Sequence, residues 1–217
     1  RATAMGTRYA LVCAVIVFVH PLVAQVTIPD PAFAAALEAA VPDAVTGDQL
    51  DQDHPSVLAL TNLSLPDAGV SNINGVQYFS ALEYLDISSN PVSSMPALPA
   101  SLGTLDISGT LIASLPVLPS GLHTLYMGGT PIAVVQNLPS GLTLLDLTMC
   151  NAPQLGTLPA GLTHLYLYNC GYTAPPVIQG PTGLATLYLS WNPVQTITAL
   201  PSSLISFECD ECGLDRK

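Results

Sequence analysis

A leucine recurs at an almost fixed interval of 20 residues from Leu82 onward. It stands at Leu82, Leu102, Leu122, Leu142, Leu162, Leu184 and Leu204, with one longer step of 22 between Leu162 and Leu184. Self-similarity at this period implies a solenoid. Each turn is too small to bury its own apolar side, so it stacks on its neighbours to do so.

The turn itself can be read from its best copy, Leu82-Glu-Tyr-Leu85-Asp-Ile87-Ser-Ser-Asn90-Pro-Val92. Leu85 and Ile87 alternate with Tyr84, Asp86 and Ser88, a period of two that predicts a short strand with one buried face. The inward pair recurs as Leu105/Ile107, Leu125/Met127, Leu145/Leu147, Leu165/Leu167, Leu187/Leu189 and Phe207/Cys209. A further inward position is expected at Val92, Ile112, Ile132, Ala152, Tyr172, Val194 and Leu214. Five residues after the second leucine stand Asn90, Thr110, Thr130, Cys150, Cys170, Asn192 and Cys212. These small side chains can satisfy backbone groups where the chain bends away from the strand, one per turn, as a ladder. The return path carries Leu-Pro units at Leu98, Leu115, Leu118, Leu138, Leu158 and Leu200. Proline excludes a helix interior and favours extended polyproline conformation, and 20 residues are too few for a strand, two bends and a full helix.

The pattern Leu-x-x-Leu-x-Leu-x-x-Asn/Cys/Thr followed by Leu-Pro-x-Leu-Pro resembles bacterial leucine-rich repeats over residues 80–214. The 20-residue form is similar to that of type III-secreted effectors of enteric pathogens. The fold class expected is an α+β repeat solenoid: a leucine-rich repeat horseshoe with a parallel concave β-sheet, an extended convex side and a short N-terminal helical cap. Residues 80–217 hold seven repeats, the last truncated, and residues 25–79 hold the cap with an irregular first repeat.

The cap region reads Ile28-Pro-Asp30-Pro31-Ala-Phe33-Ala-Ala-Ala-Leu37-Glu-Ala-Ala-Val41-Pro42. Asp30 suits an N-cap and Pro31 the first helical position. Phe33, Leu37 and Val41 share one face, and Pro42 ends the helix. Thr46-Gly-Asp-Gln-Leu50 is read as the start of a second short helix. Leu58-Ala-Leu60 and residues 70–79 are read as the irregular first repeat. Ile28 to Phe33, with Gly75-Val-Gln-Tyr-Phe79-Ser-Ala-Leu82, resembles the N-terminal cap of secreted bacterial leucine-rich repeat proteins, including the internalin-like group. Such a cap covers the apolar end of the stack. Asp43, Asp48, Asp51 and Asp53 crowd this region but lack the alternation and terminal Glu of a calcium loop, so no metal is expected there.

Ahead of the cap, Met5-Gly-Thr-Arg8 and the apolar run Tyr9 to Val19 read as a secretory signal peptide spanning residues 1–24, cleaved after Ala24. Eleven apolar residues are too few for a comfortable membrane span, and no stable span is expected in the mature chain. The mature chain is then secreted or displayed at a cell surface. At the other end the seventh repeat stops just past Leu214, from which a longer parent protein is expected.

All four basic side chains lie at Arg1, Arg8, Arg216 and Lys217, whereas 15 acidic residues lie between Asp30 and Asp215. Such a surface repels nucleic acid and anionic lipid. Five cysteines raise metal and disulfide chemistry. Cys150, Cys170 and Cys212 occupy the ladder site and Cys209 a strand core site, which reads as structural. Adjacent rungs would bring Cys150 and Cys170 to about 4.8 Å spacing, near enough for a disulfide but with parallel Cβ vectors that suit one poorly.

The outward strand positions form columns on the concave face. His164, Tyr166, Tyr168, Tyr188 and the single tryptophan, Trp191, fall on two adjacent turns, with Tyr126 two turns away. These six are the candidate ligand-binding residues, because exposed Tyr and Trp anchor partners or stack on sugar faces. Aromatics also suit strands and pair across rungs without any ligand, and that preference accounts for much of the pattern. Asp86 and Asp106 at one end, with Glu208, Asp210 and Glu211 at the other, favour a partner carrying some positive charge. His164 and Asp146 are expected near one another, yet no nucleophile elbow, paired-carboxylate pocket, phosphate loop or metal triad accompanies them. The reading is a non-catalytic binding module with no cofactor, directed at a protein. A carbohydrate-binding adhesin, or the targeting arm of a larger secreted enzyme, is the alternative.

Overall fold

The computed structural model describes residues 25–174, 181–197 and 200–213. Residues 1–24, read above as a signal peptide, and Leu214 lie outside them. In chain order the elements begin with β1 (Gln25–Thr27), α1 (Pro31–Ala40), β2 (Val45–Thr46), β3 (Gln49–Asp51), α2 (Pro55–Ala59) and β4 (Asn62–Ser64), followed by a 3-10 turn at Val76–Tyr78. The repeats supply β5 (Tyr84–Asp86), β6 (Thr104–Asp106), β7 (Thr124–Tyr126), the convex β8 (Val134–Val135), β9 (Leu144–Asp146), the convex β10 (Gln154–Leu155), β11 (His164–Tyr166), β12 (Thr186–Tyr188) and β13 (Ser206–Glu208). Eight strands form one parallel sheet in the order β13-β12-β11-β9-β7-β6-β5-β4. The strands of this sheet follow one another in chain order, with only the convex β8 and β10 intervening, as a solenoid requires.

Register follows the leucine period. Leu63, Leu85, Leu105, Leu125, Leu145, Leu165, Leu187 and Phe207 stand opposite one another in a single row. The leading leucines Leu82 to Leu184 are fully buried, as are both inward residues of each turn from Leu85/Ile87 to Leu187/Leu189. In the last described turn Leu204, Phe207 and Cys209 are half-buried. Return-path Leu118 and Leu158 are buried too, and Met95, Leu98, Leu115 and Leu138 pack partly against the core. The convex side holds no helix among the described residues, only the two-residue pair β8–β10, so the extended return path is as expected.

The ladder residues are buried from Asn90 to Asn192, and they work in three different ways. Asn90 and Asn192 staple two turns together. Asn192 Nδ2 donates to Leu189 O of its own turn and to Leu167 O of the preceding one, both at 2.7 Å, while Oδ1 accepts from the N–H groups of Cys170 and Tyr172 at 3.0 Å. Asn90 does the same against the cap, donating to Leu65 O and Ile87 O and accepting from Val70 N. Thr110 and Thr130 donate to backbone only within their own turn, to Ile107 O and Met127 O at 2.7 Å, and Thr130 Oγ1 also meets the Cys150 thiol of the next turn at 3.6 Å. The Cys150 and Cys170 thiols reach back one turn, to Met127 O and Leu147 O.

Four expectations need correction. Ala152 is exposed: it adopts φ 41°, its N–H donates to Cys170 O, and Pro153 is buried instead. Tyr172 is only half-buried, because its hydroxyl leaves the core to donate to Pro153 O at 2.6 Å. Residues 46–50 form no helix. Val45–Thr46 and Gln49–Leu50 pair antiparallel around Gly47, whose φ of 64° suits a tight hairpin turn. The second helix is α2, capped by His54. The first-turn strand is β4 around Leu63, with Leu60 half-buried at the leading position and Leu58 exposed.

The cap otherwise forms as its sequence implies. Asp30 Oδ1 accepts from Phe33 N at 2.9 Å at the start of α1, whose Phe33 and Leu37 are fully buried. Asp30 Oδ2 accepts from Ser71 N, Ser71 Oγ and Asn72 N, tying α1 to the first turn of the solenoid. Burial pushes the Asp30 carboxyl up, but these hydrogen bonds outweigh it and hold the group below the usual carboxylate range.

Of the cysteines, Cys209 and Cys212 form a disulfide. Cys150 and Cys170 are both free and buried, so the pairing weighed between adjacent rungs does not occur. The C-x-x-C pair instead joins a core position to the ladder position of the same turn.

Candidate concave binding face

Each strand contributes its two outward residues, so the columns form in strict register. The middle column runs Asp86, Asp106, Tyr126, Asp146, Tyr166, Tyr188, Glu208, one residue per rung. Carboxylates and phenols therefore alternate across its centre. Its aspartates also shape the backbone: Asp86, Asp106 and Asp146 accept through Oδ1 from the N–H two residues on, at Ser88, Ser108 and Thr148, at 2.8 to 2.9 Å. This local bond turns the chain out of the strand. The recurring Asp-x-Ser/Thr is the signal for it in the sequence, where Asp86 and Asp106 stood only as surface charge and Asp146 only as a neighbour of His164.

The aromatic candidates divide into two groups. Tyr166 and Tyr188 face each other on adjacent rungs with ring centroids 5.1 Å apart at 72°, an edge-to-face pair, and His164 lies 6.4 Å from Tyr166. Tyr168 and Trp191 form a second contact at 6.5 Å, on the flank where the chain leaves the strands. The face thus brings five of the six candidates into two neighbouring clusters, while Tyr126 stands apart between Asp106 and Asp146. His164 is opposite Leu144, and Asp146 is opposite Tyr166. The His164 ring bonds Thr163 Oγ1 through Nδ1 at 2.8 Å. Among the described residues no group of three or more His, Cys, Asp or Glu side chains is placed to hold a metal ion.

The flank column has an unusual backbone. Ser89, Gly109, Gly129, Met149, Asn169, Trp191 and Glu211 all adopt positive φ, between 51° and 68°. Gly and Asn take this conformation readily, whereas bulky side chains there are strained. Trp191 at φ 63° and Met149 at φ 61° hold that backbone while 55% and 60% exposed. Burial does not explain the choice of these two side chains, since the bend imposes the same positive φ on every turn and most turns place Ser, Gly or Asn there. Met149, absent from the six sequence candidates, belongs with Trp191 on this flank.

The electrostatics of the face are one-sided. Burial pushes the Asp106 carboxyl up; the Ser108 hydrogen bonds oppose this, and the charges of Asp86 and Asp146 add to the rise. Burial likewise raises the phenols of Tyr84 and Tyr166, with further contributions from neighbouring tyrosines and aspartates of the column.

No protein-family model matches this chain, and no curated protein does. Several solved structures are similar. YopM of Yersinia enterocolitica superposes with a TM-score of 0.60 at 28% identity, over 70% of this chain and 33% of that one. An internalin (inlF) of Listeria monocytogenes gives 0.64 at 22% identity, over 83% of this chain and 56% of that one. A Shigella effector leucine-rich repeat domain gives 0.59 at 20% identity, over 70% of each chain. The chain spans a third of the YopM chain and little more than half of the internalin. These likenesses establish the leucine-rich repeat solenoid. Among the described residues, no helix is long and apolar enough to cross a membrane.

Proposed function

We propose that this chain is a non-catalytic recognition module that binds a protein partner across its concave sheet, in a secreted or cell-surface setting. The observation that carries this reading is Trp191, half-exposed on a strained backbone and in contact with Tyr168 beside the Tyr166–Tyr188 pair. Rigid aromatic side chains clustered near the centre of a surface are the residue type that dominates protein interfaces. The similarity to bacterial leucine-rich repeat proteins, and the leader-like residues 1–24, support the setting.

The test is to pan a display library of small protein domains and peptides against the immobilised chain. The isolated binders are then measured on a Tyr166→Ala/Tyr188→Ala/Trp191→Ala variant. Binding should fall by at least about 100-fold, the combined weight of several aromatic anchors, while the thermal melt stays cooperative. Unchanged affinity would remove the aromatic patch from the account. Competition by free mono- and oligosaccharides would redirect the reading to carbohydrate adhesion.

A further inference from the structure

The concave face carries a second pattern besides its aromatic clusters. Between Asp106 and Asp146, one rung to either side, stands Tyr126, so a phenol ring is flanked in register by two carboxylates. With adjacent parallel strands about 4.8 Å apart, the two carboxylate positions are separated by roughly 10 Å. A planar cation laid on the ring would therefore lie within reach of both.

Among the described residues the chain offers no such cation. No Lys or Arg occurs between residues 9 and 215, so none of the described residues supplies an ammonium or guanidinium. The histidines His123 and His164 bond the Thr124 and Thr163 hydroxyls through Nδ1. Asp106 is held half-buried against two like charges, which raises its carboxyl. An arriving cation would relieve that repulsion. Charge depletion of this kind also steers a complementary partner at a distance.

We propose that the partner presents a basic, arginine-bearing polypeptide segment to the concave face, with one guanidinium seated on Tyr126 between Asp106 and Asp146. This rests on the concave-face reading above and adds the chemistry of the partner. Arginine fits better than lysine, because a planar guanidinium stacks on an aromatic ring and still donates in its own plane to carboxylates on either side. The Tyr166–Tyr188 pair and Trp191 then receive the apolar part of the same segment.

The experiment uses the full chain and fluorescein-labelled peptides that alternate serine with arginine, lysine or citrulline, followed by fluorescence anisotropy. Citrulline keeps the shape of arginine and removes its charge. The arginine peptide should bind saturably, and the citrulline peptide at least about tenfold more weakly, the scale of a desolvated charge pair. Asp106→Asn/Asp146→Asn should lose a similar factor. Its amide oxygens can still accept the Ser108 and Thr148 N–H groups, and a melt at or above that of the parent chain separates lost recognition from lost fold. Tyr126→Leu should lose about two- to fivefold for the arginine peptide. Affinity should also fall steeply between ~0.01 M and ~1 M salt, as the screening length shrinks from about 30 Å to 3 Å. Equal binding of arginine and citrulline peptides, or indifference to the double Asp variant, overturns the inference. Library binders that require Tyr166, Tyr188 and Trp191 yet ignore Asp106 and Asp146 overturn it alone and leave the concave-face reading standing. Binders that ignore both sets overturn both.

Discussion

Replacing Asn192 by alanine isolates the contribution of the bend ladder. The Asn192 side chain is fully buried and bonds four backbone groups at 3.0 Å or closer, Leu167 O and Leu189 O as acceptors and Cys170 N and Tyr172 N as donors, with a fifth, longer bond to Ser190 O at 3.4 Å. Alanine removes the four short bonds and the longer one at once. Each buried backbone group left without a partner costs about 1 kcal/mol at the lower end of the range, so the loss is about 4 kcal/mol. Thr130→Ala frees a single backbone group, Met127 O, and removes a longer contact to the Cys150 thiol at 3.6 Å, and should cost about 1 kcal/mol. Asn192→Thr restores one donor, in the manner of Thr110 and Thr130, and should fall at about 3 kcal/mol. Urea unfolding followed by far-UV circular dichroism reads these differences as shifts in midpoint at constant slope. An Asn192→Ala variant no less stable than Thr130→Ala would refute the claim that asparagine staples adjacent turns.

Other perturbations follow from the same structure. Asp30 has a lowered carboxyl in the folded state. Its contribution is therefore present above the unfolded value of about 3.9 and lost as pH falls through the folded value. Asp30→Ala should cost about 2 kcal/mol at neutral pH and flatten the acid limb of a pH-resolved melt. Asp106 is shifted the opposite way, so its charge is a penalty at neutral pH that disappears on protonation. Asp106→Asn should match or exceed the parent melting temperature at pH 7, and the gap should close below about pH 4. A Cβ on Gly128 would meet Thr148 O at 2.9 Å, and Gly128→Ala should cost about 1–3 kcal/mol by forcing two rungs apart. Cys150 and Cys170 are both buried, and burial pushes the Cys170 thiol up to about 12, so mass spectrometry should find both inaccessible to maleimide until the chain unfolds.

The core was legible because the leucine period and the two-residue alternation each fix a side chain's direction independently. Leu145, for example, is assigned inward by both. The ladder was legible as a position but not as three mechanisms, since Asn, Thr and Cys differ in how far they reach and in how many groups they bond. Ala152 misled because the period places it inward, whereas Asn151-Ala-Pro153 bends the chain and hands the buried place to the proline. Thr46 to Leu50 carried a hairpin signal, Gly47-Asp48 between β-forming residues, that was read as helix. The strained backbone of Met149 and Trp191 left no trace in composition: positive φ is a property of the bend, and the sequence shows it only through Gly109, Gly129 and Asn169 at equivalent places. The positions of the aromatic candidates were legible from the period, whereas their division into a Tyr166–Tyr188 pair and a Tyr168–Trp191 contact depends on side-chain orientation that the period does not fix.

Trp191 is the only tryptophan of the chain and is 55% exposed on the proposed binding flank, so it reports on the central claim directly. The decisive measurement is its fluorescence during titration with a tryptophan-free binder from the display library, alongside an independent affinity measurement. The account predicts a saturable change in emission, and reduced iodide quenching, with the same Kd as the independent assay. Saturated binding with Trp191 emission and quenching unchanged would place the partner elsewhere on the solenoid and contradict the account.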